Sequence, residues 1–344
     1  MKKYLNTLYL TTDGTYIHKQ RETIIIEIEG EKAAQLPIHT IANIYCFGRV
    51  MVSPALMGFC GERGVGLAFF TWYGKFLARV QGAVSGNVLL RKAQYRTSED
   101  PQAVLEIAKN SVGAKIHSSR TSLQRLLRNY PDHQNRENIE AVIQRKKQIL
   151  HRIRDCCDID SVRGYEGEGA LQYFSVFDSC ITKNKEYFYL AGRNRRPPRD
   201  AVNSLLSLFY TLITQDCVSA CEGVGLDPAV GFLHRDRPGR NSLALDLCEE
   251  FRCYIADRLT LSLINRQQIT PKDFIVSEVG AYSLKGDARK TVLAAYQDRK
   301  KEEVIHPFLK EKAPLGLFFH LQAQLMSRFL RGDIEFYPPF IWRS

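Results

Sequence analysis

No Cys-x-x-Cys pair occurs among the nine cysteines of this 344-residue chain, which stand at positions 46, 60, 156, 157, 180, 217, 221, 248 and 253. Their odd number and irregular spacing argue against a disulfide framework and a zinc ribbon, and fit reduced, mostly buried thiols in a cytoplasm. A zinc site built from Cys217, Cys221, Cys248 and Cys253 is set aside, because those spacings are also what small core residues on helices look like. No apolar run approaches the ~18 residues that span a bilayer, so no membrane association is expected. The opening MKKYLNTLYLTTDG has a short, polar-interrupted apolar core and no small-residue cleavage site, and a cytoplasmic protein is the expectation. The phosphate loop G-x-x-x-x-G-K-[S/T] is missing too, and the glycines at 164, 167 and 169 do not form a dinucleotide fingerprint, so ATP binding is not indicated.

What the chain does have is enough apolar residue for a large core or two moderate ones, with 44% hydrophobic and 25% charged residues. Its 48 Lys and Arg against 37 Asp and Glu leave a formal charge of +11, which favours a polyanionic partner without proving one.

Residues 1–85 read as short strands rich in Tyr, Ile, Val, Phe and Thr (YLNTLYL, TYIHK, TIIIEIE, IANIYCF, GLAFFT, KFLARVQ), separated by turn signals such as Asp13-Gly14. One helix is expected among them at Ser53–Glu62, with Pro54 in its first turn. After GAVSGN the period changes to that of helices. In NIEAVIQRKKQILHRIRDCC, Ile139, Val142, Ile143, Ile149, Leu150 and Ile153 share one face, and Arg145, Lys146, Lys147, Arg152 and Arg154 take other positions. Further helices are expected near 101–129, 200–222, 242–264, 287–303 and 315–331. The fold class is therefore α+β: a small N-terminal β-sandwich-like domain (1–85), a linker (86–97) and a larger all-α domain (98–344).

Two basic loops interrupt the helices. KNKEYFYLAGRNRRPPRD carries Lys183, Lys185, Arg193, Arg195, Arg196 and Arg199, and HRDRPGRN carries Arg235, Arg237 and Arg240. Either loop alone reads as a solvated surface, but flanking a set of acids they read as phosphate clamps. The acids lie in FLHRDRPGRNSLALDLCEEFR. A helix capped at Asn241 or Ser242 puts Asp246 on one face with Glu249 and Glu250, and His234 stands in the loop before it. SVRGYEGEGALQYF offers a further acid, Glu166 or Glu168, in a glycine-rich turn at or near a helix start. Two carboxylates plus an imidazole, with no thiolate, suit Mg2+ or Mn2+. Such an ion among arginines suits phosphodiester chemistry.

The motifs RGYEGEGALQYF, RNRRPPRDAVNSLLSLFYTLI and GFLHRDRPGRNSLALDLCEEFR, in this order, resemble the CRISPR-associated spacer-acquisition integrase family, the metal-dependent DNA endonuclease/integrase subunit of CRISPR systems. LTLSLINRQQI and the ending YPPFIWRS add weaker likeness. The resemblance implies metal ligation and catalysis by Glu166, His234 and Glu249, with Asp246 a further acidic position that ligates or orients a ligand. It implies DNA contacts by Arg193, Arg195, Arg196, Arg199, Arg235, Arg237 and Arg240, while Arg252 reads equally as a salt-bridge partner or a DNA contact. It further implies Mg2+ or Mn2+ as cofactor and double-stranded DNA as partner, both short foreign fragments and CRISPR repeat DNA. A homodimer joined through the β domains and a small ferredoxin-like CRISPR-associated partner subunit complete the implied assembly. The implied reaction is insertion of foreign DNA by 3'-hydroxyl transesterification. The residues alone also permit a metal-dependent nuclease for branched DNA in repair, or a DNA-binding scaffold whose acids are structural.

Overall fold

The computed structural model describes residues 6–72, 74–82, 88–194 and 197–342. In chain order the principal elements are β1 (Asn6–Leu10), β2 (Tyr16–Gln20), β3 (Thr23–Ile28), β4 (Glu31–Pro37), β5 (Ile41–Phe47), β6 (Met51–Val52), α1 (Pro54–Arg63), β7 (Gly66–Phe70) and β8 (Phe76–Val80). The helices α2 (Val88–Glu99), α3 (Pro101–Asn129), α4 (Arg136–Arg154), α5 (Ile159–Phe177), α6 (Ala201–Val224), α7 (Ser242–Phe251), α8 (Arg258–Asn265), α9 (Gly286–Lys301) and α10 (Phe318–Leu330) follow. The α+β class expected from the sequence is the observed one.

The chain divides into two compact units. The first comprises 1–86, 283–303 and 314–317, and the second 87–282, 304–313 and 318–344. In the first, two four-stranded sheets run in the orders β1-β5-β7-β8 and β4-β3-β2-β6. β5 pairs in parallel with both β1 and β7, while β3 pairs antiparallel with β2 and β4. Leu10, Ile44, Cys46 and Leu67 of one sheet, Ile17, Ile24 and Ile26 of the other, and Leu56, Phe59 and Cys60 of α1 form a single apolar core. Helix α1 starts as its sequence dictates: Ser53 accepts a hydrogen bond from the Leu56 amide, and Pro54 occupies a first-turn position that needs no amide donor.

Two features of the division differ from the boundaries read from sequence. Helix α9 belongs with the strands, where the Arg289 guanidinium lies 4.4 Å above the Trp72 ring. Periodicity identifies a helix but not the layer it covers. Most of the stretch 86–97 is helix α2, which is anchored in the second unit by the Gln94 side chain. Its amide donates to the carbonyls of Asp227 and Val230, each at 2.8 Å.

In the second unit, α3 begins at an Asp100 cap with Pro101 next to it, and runs 29 residues. Leu105, Ala108, Val112 and Ile116 of α3 pack with Ile149 and Ile153 of α4 and Val162 of α5, and with Leu233 from the loop before α7. Lys146, read as lying off the apolar face of α4, is instead fully buried on it. It stands three residues from both Ile143 and Ile149, and its ammonium donates to the Gly169 carbonyl at 2.7 Å. Helix α6, capped by Asp200, is buried around most of its circumference, including the polar Asn203, Gln215 and Asp216, in line with its mostly apolar sequence. The single helix expected over 242–264 is divided: α7 passes at Arg252–Asp257 into a π-helical stretch before α8. Such wide turns insert extra backbone and often stand at functional positions. Among the described residues, no helix is long and apolar enough to cross a membrane.

Candidate active site

Glu166 lies not in a turn but in the middle of α5. The helix starts where Asp158 accepts from the Ser161 amide at 2.7 Å and continues through Gly164, Gly167 and Gly169 to Phe177. Mid-helix glycine is unfavourable by roughly 1 kcal/mol each relative to alanine, so packing must override propensity here. Gly169 shows one reason: a Cβ there would lie 3.1 Å from the Ile116 side chain, so its absence lets α5 approach α3. Residues two apart on a helix point apart. Glu168 accordingly turns to Arg145 at 2.9 Å, while Glu166 meets the ammonium of Lys115, in the middle of α3.

The second acid comes from α7. Glu249 is buried, only 2% exposed, with the Lys115 ammonium 2.7 Å from its Oε2 and the Arg252 guanidinium 2.5 Å from its Oε1. Burial by itself pushes this carboxyl up. The Arg252 and Lys115 charges outweigh that and hold it down to about 2. Lys115 is pulled in opposite directions too: burial depresses it, but Glu249 and Glu166 together keep it above the ordinary lysine value.

His234 is placed by Asp246. Both oxygens of this buried carboxylate are used: Oδ2 accepts from the amides of Phe232 (2.6 Å) and Leu233 (3.0 Å), and Oδ1 from the His234 amide (3.0 Å) and its Nδ1 (2.6 Å). The loop can lie this close because residue 231 is glycine. A Cβ there would fall 2.7 Å from the Ser242 carbonyl carbon and 2.8 Å from Asp246 Oδ2. With Nδ1–H donated to Asp246, the lone pair is left on Nε2, which faces Glu249 Oε1 at 3.9 Å. Asp246 is therefore fully engaged in orienting the histidine and its loop.

Among the described residues, no three of His, Cys, Asp and Glu are gathered around one point as metal ligands. The cation between Glu166 and Glu249 is the Lys115 ammonium. The donor set nevertheless fits a hard divalent ion: two carboxylates, one oriented imidazole nitrogen, no thiolate, and a buried Glu249 Oε2 that makes no aligned hydrogen bond.

The arginines read as phosphate contacts fall into different settings. Arg237 and Arg199 are exposed, and Arg240 is half-buried. Arg235 is exposed but pairs with Asp160 at 2.9 Å, an acid it shares with Arg163. Arg193 is half-buried; it bonds to Asn203 and lies 5.1 Å over the Tyr210 ring and 5.7 Å over Phe174. Arg195 and Arg196 lie outside the described residues. Arg252 stacks on Tyr210 from 4.9 Å while pairing with Glu249, which decides in favour of the salt-bridge reading of that residue. Sequence reasoning missed Lys115 and Tyr210. Lys115 belongs to no motif; its one signal is a lone lysine in the small-residue and apolar run SVGAKI.

A two-unit α+β protein with two acids and an Asp-oriented histidine among arginines has the parts of a phosphodiester-processing enzyme. Residues 8–298 match the family described as CRISPR associated protein Cas1. A CRISPR-associated endonuclease Cas1 of Chlorobaculum tepidum is 50% identical over 343 residues, spanning all of both chains. A casposase bound to integration product shares the fold with a TM-score of 0.84 and 26% identity, covering 98% of this chain and 94% of that one. The Cas6-RT-Cas1–Cas2 complex contains a chain that superposes with a TM-score of 0.83 at 20% identity, over 98% of this chain and 36% of that one. The chain belongs to the Cas1 family of CRISPR-associated endonucleases and integrases.

Proposed function

We propose that this protein inserts short foreign DNA into a CRISPR repeat array by transesterification that depends on Mg2+ or Mn2+. The observation that carries the reading is the convergence of Glu166 and Glu249 on one cation, with His234 Nε2 turned toward the same Glu249 by Asp246. Glu166, Glu249 and His234 would hold the ion, and Asp246 would act through the histidine. A divalent ion supplies neutralisation of charge developing on phosphate and lowers the pKa of an attacking hydroxyl.

The remaining roles belong to this chain's own side chains. Arg252, fixed by Tyr210 and by Glu249, keeps positive charge beside the buried carboxylate. Exposed Arg199 and Arg237, with Arg240, Arg235, Arg195, Arg196 and Arg193, would position the DNA backbones. In the reaction the 3'-hydroxyl of the incoming strand gives up its proton to solvent as its oxygen forms a bond to a repeat-edge phosphorus. The bond from that phosphorus to the repeat's own 3'-oxygen breaks, and the displaced oxygen takes up a proton. One phosphodiester replaces another, so no nucleotide is hydrolysed. The Chlorobaculum relative's description as an endonuclease and the casposase's capture with an integration product support this chemistry. The Cas1–Cas2 complex of shared fold supports assembly with a CRISPR-associated partner; our reading takes that partner as a small ferredoxin-like subunit and the protein as a cytoplasmic homodimer.

The test is joining of short duplex DNA to a supercoiled repeat plasmid, with Mn2+ and no ATP. Duplexes ending in 3'-deoxynucleotides should give no joined product, and Glu166→Ala or His234→Ala protein should give none with either end. Cleavage without any joined product, with the partner subunit present, would replace this reading by a hydrolytic nuclease.

A further inference from the structure

We propose that Lys115 is a built-in counter-cation that holds Glu166 and Glu249 together until a divalent ion displaces its ammonium, so that this lysine sets the ion affinity of the site. The proposal rests on the reading above, in which these two carboxylates hold the ion.

Two carboxylates brought together, one of them almost wholly buried, repel unless a cation lies between them. Among the described residues, two Lys or Arg side chains pair with these acids, and they differ. Arg252 reaches only Glu249, on Oε1, and is pinned by stacking on Tyr210 at 4.9 Å. Lys115 alone reaches both acids, on Glu166 Oε1 and Glu249 Oε2, and is held otherwise by a flexible four-carbon stem. Its side chain remains 18% exposed, which leaves the ammonium a route toward water. The oxygens it contacts are those an ion needs, and two cations on the same oxygens repel. Ion binding is therefore an exchange of Lys115 for the ion. The apparent affinity is lowered by the fraction of molecules in which the lysine occupies the acids. Metal-free protein in return keeps the site assembled.

The test compares full-length wild type, Lys115→Met and Lys115→Arg by thermal melting without metal and by calorimetric and spin-resonance titration with Mn2+. Lys115→Met should melt lower without metal yet bind Mn2+ about tenfold more tightly. Lys115→Arg should recover the metal-free melting temperature and bind no more tightly than wild type. A second measurement needs no variant: reductive methylation of wild type, read by mass spectrometry, should label Lys115 slowly without metal and faster at saturating Mn2+. That labelling decides the matter if Lys115→Met does not fold. An unchanged or weaker Kd in Lys115→Met, or a labelling rate indifferent to Mn2+, overturns the role of the lysine alone. No Mn2+ bound by either wild type or Lys115→Met overturns the ion site and the lysine's role with it.

Discussion

Replacing Asp246 with asparagine changes one atom at the point where loop and histidine are joined. The carboxylate accepts four hydrogen bonds, two on each oxygen. An amide keeps one oxygen, so whichever way it lies, one pair of donors faces an NH2 group. If the oxygen stays with Phe232 and Leu233, the His234 amide loses its acceptor. The imidazole must then present a lone pair from Nδ1 and carry its proton on Nε2, the nitrogen that should bind the ion. One or two stranded, largely buried donors at about 1–3 kcal/mol each give a loss of roughly 2–4 kcal/mol. For a unit of a few hundred residues that is a fall in Tm on the order of 10 °C. Loss of the correctly oriented imidazole should weaken Mn2+ binding about 10–100-fold. Melting followed by circular dichroism and calorimetric titration with Mn2+ read the two effects separately. A variant with the wild-type Tm would refute the hydrogen-bond accounting. A lowered Tm with unchanged Mn2+ affinity would limit Asp246 to holding the loop and refute its action through His234.

Two other expectations concern charge. Arg199 and Arg237 are exposed, so Arg199→Ala with Arg237→Ala should weaken DNA binding across sequences and reduce the log–log salt slope by up to about two units; an unchanged slope would assign both to solvent. Glu250, next to Glu249 but facing Gln322, Tyr337 and the Phe340 amide, is pushed by burial up to about 7, only partly offset by those hydrogen bonds. Its folded form therefore holds a proton that the unfolded chain releases above pH ~4.5, and stability should fall as pH rises from there to 7, by an amount on the order of 3 kcal/mol. Glu250→Gln should flatten that fall in urea midpoints measured between pH 5 and 8, and an unaltered slope would show that Glu250 does not titrate there.

Strand and helix positions were legible because each follows from a local pattern. The Ser53-Pro54 start of α1, the apolar stripe of α4 and the apolar run of α6 predict their elements without knowledge of neighbours. β4 was missed because its sequence, EKAAQLP, is exposed and half-exposed and carries no apolar alternation. Glu166, His234, Glu249 and Asp246 were all singled out from residue type, spacing and resemblance; the fold brings Glu166 and Glu249 onto Lys115, with His234 beside Glu249 and Asp246 bonded to the histidine.

What the sequence determined by itself was which side chains have the chemistry: acids and a histidine on segments whose local periods are readable. The tertiary structure decided what each one does. Glu166 and Glu168 are chemically alike and two residues apart, and only the packing of α5 against both α3 and α4 sends one to Lys115 and the other to Arg145. Asp246 and Glu249 share a helix, and only the fold of the loop over α7 gives Asp246 three backbone amides and leaves Glu249 facing the histidine. The role of Lys115 was not readable from the chain, although the residue stands out as a lone lysine in an apolar run. A lysine in a long helix gains its meaning from a carboxylate 51 residues away, and such a distant pairing leaves no periodic trace in the chain.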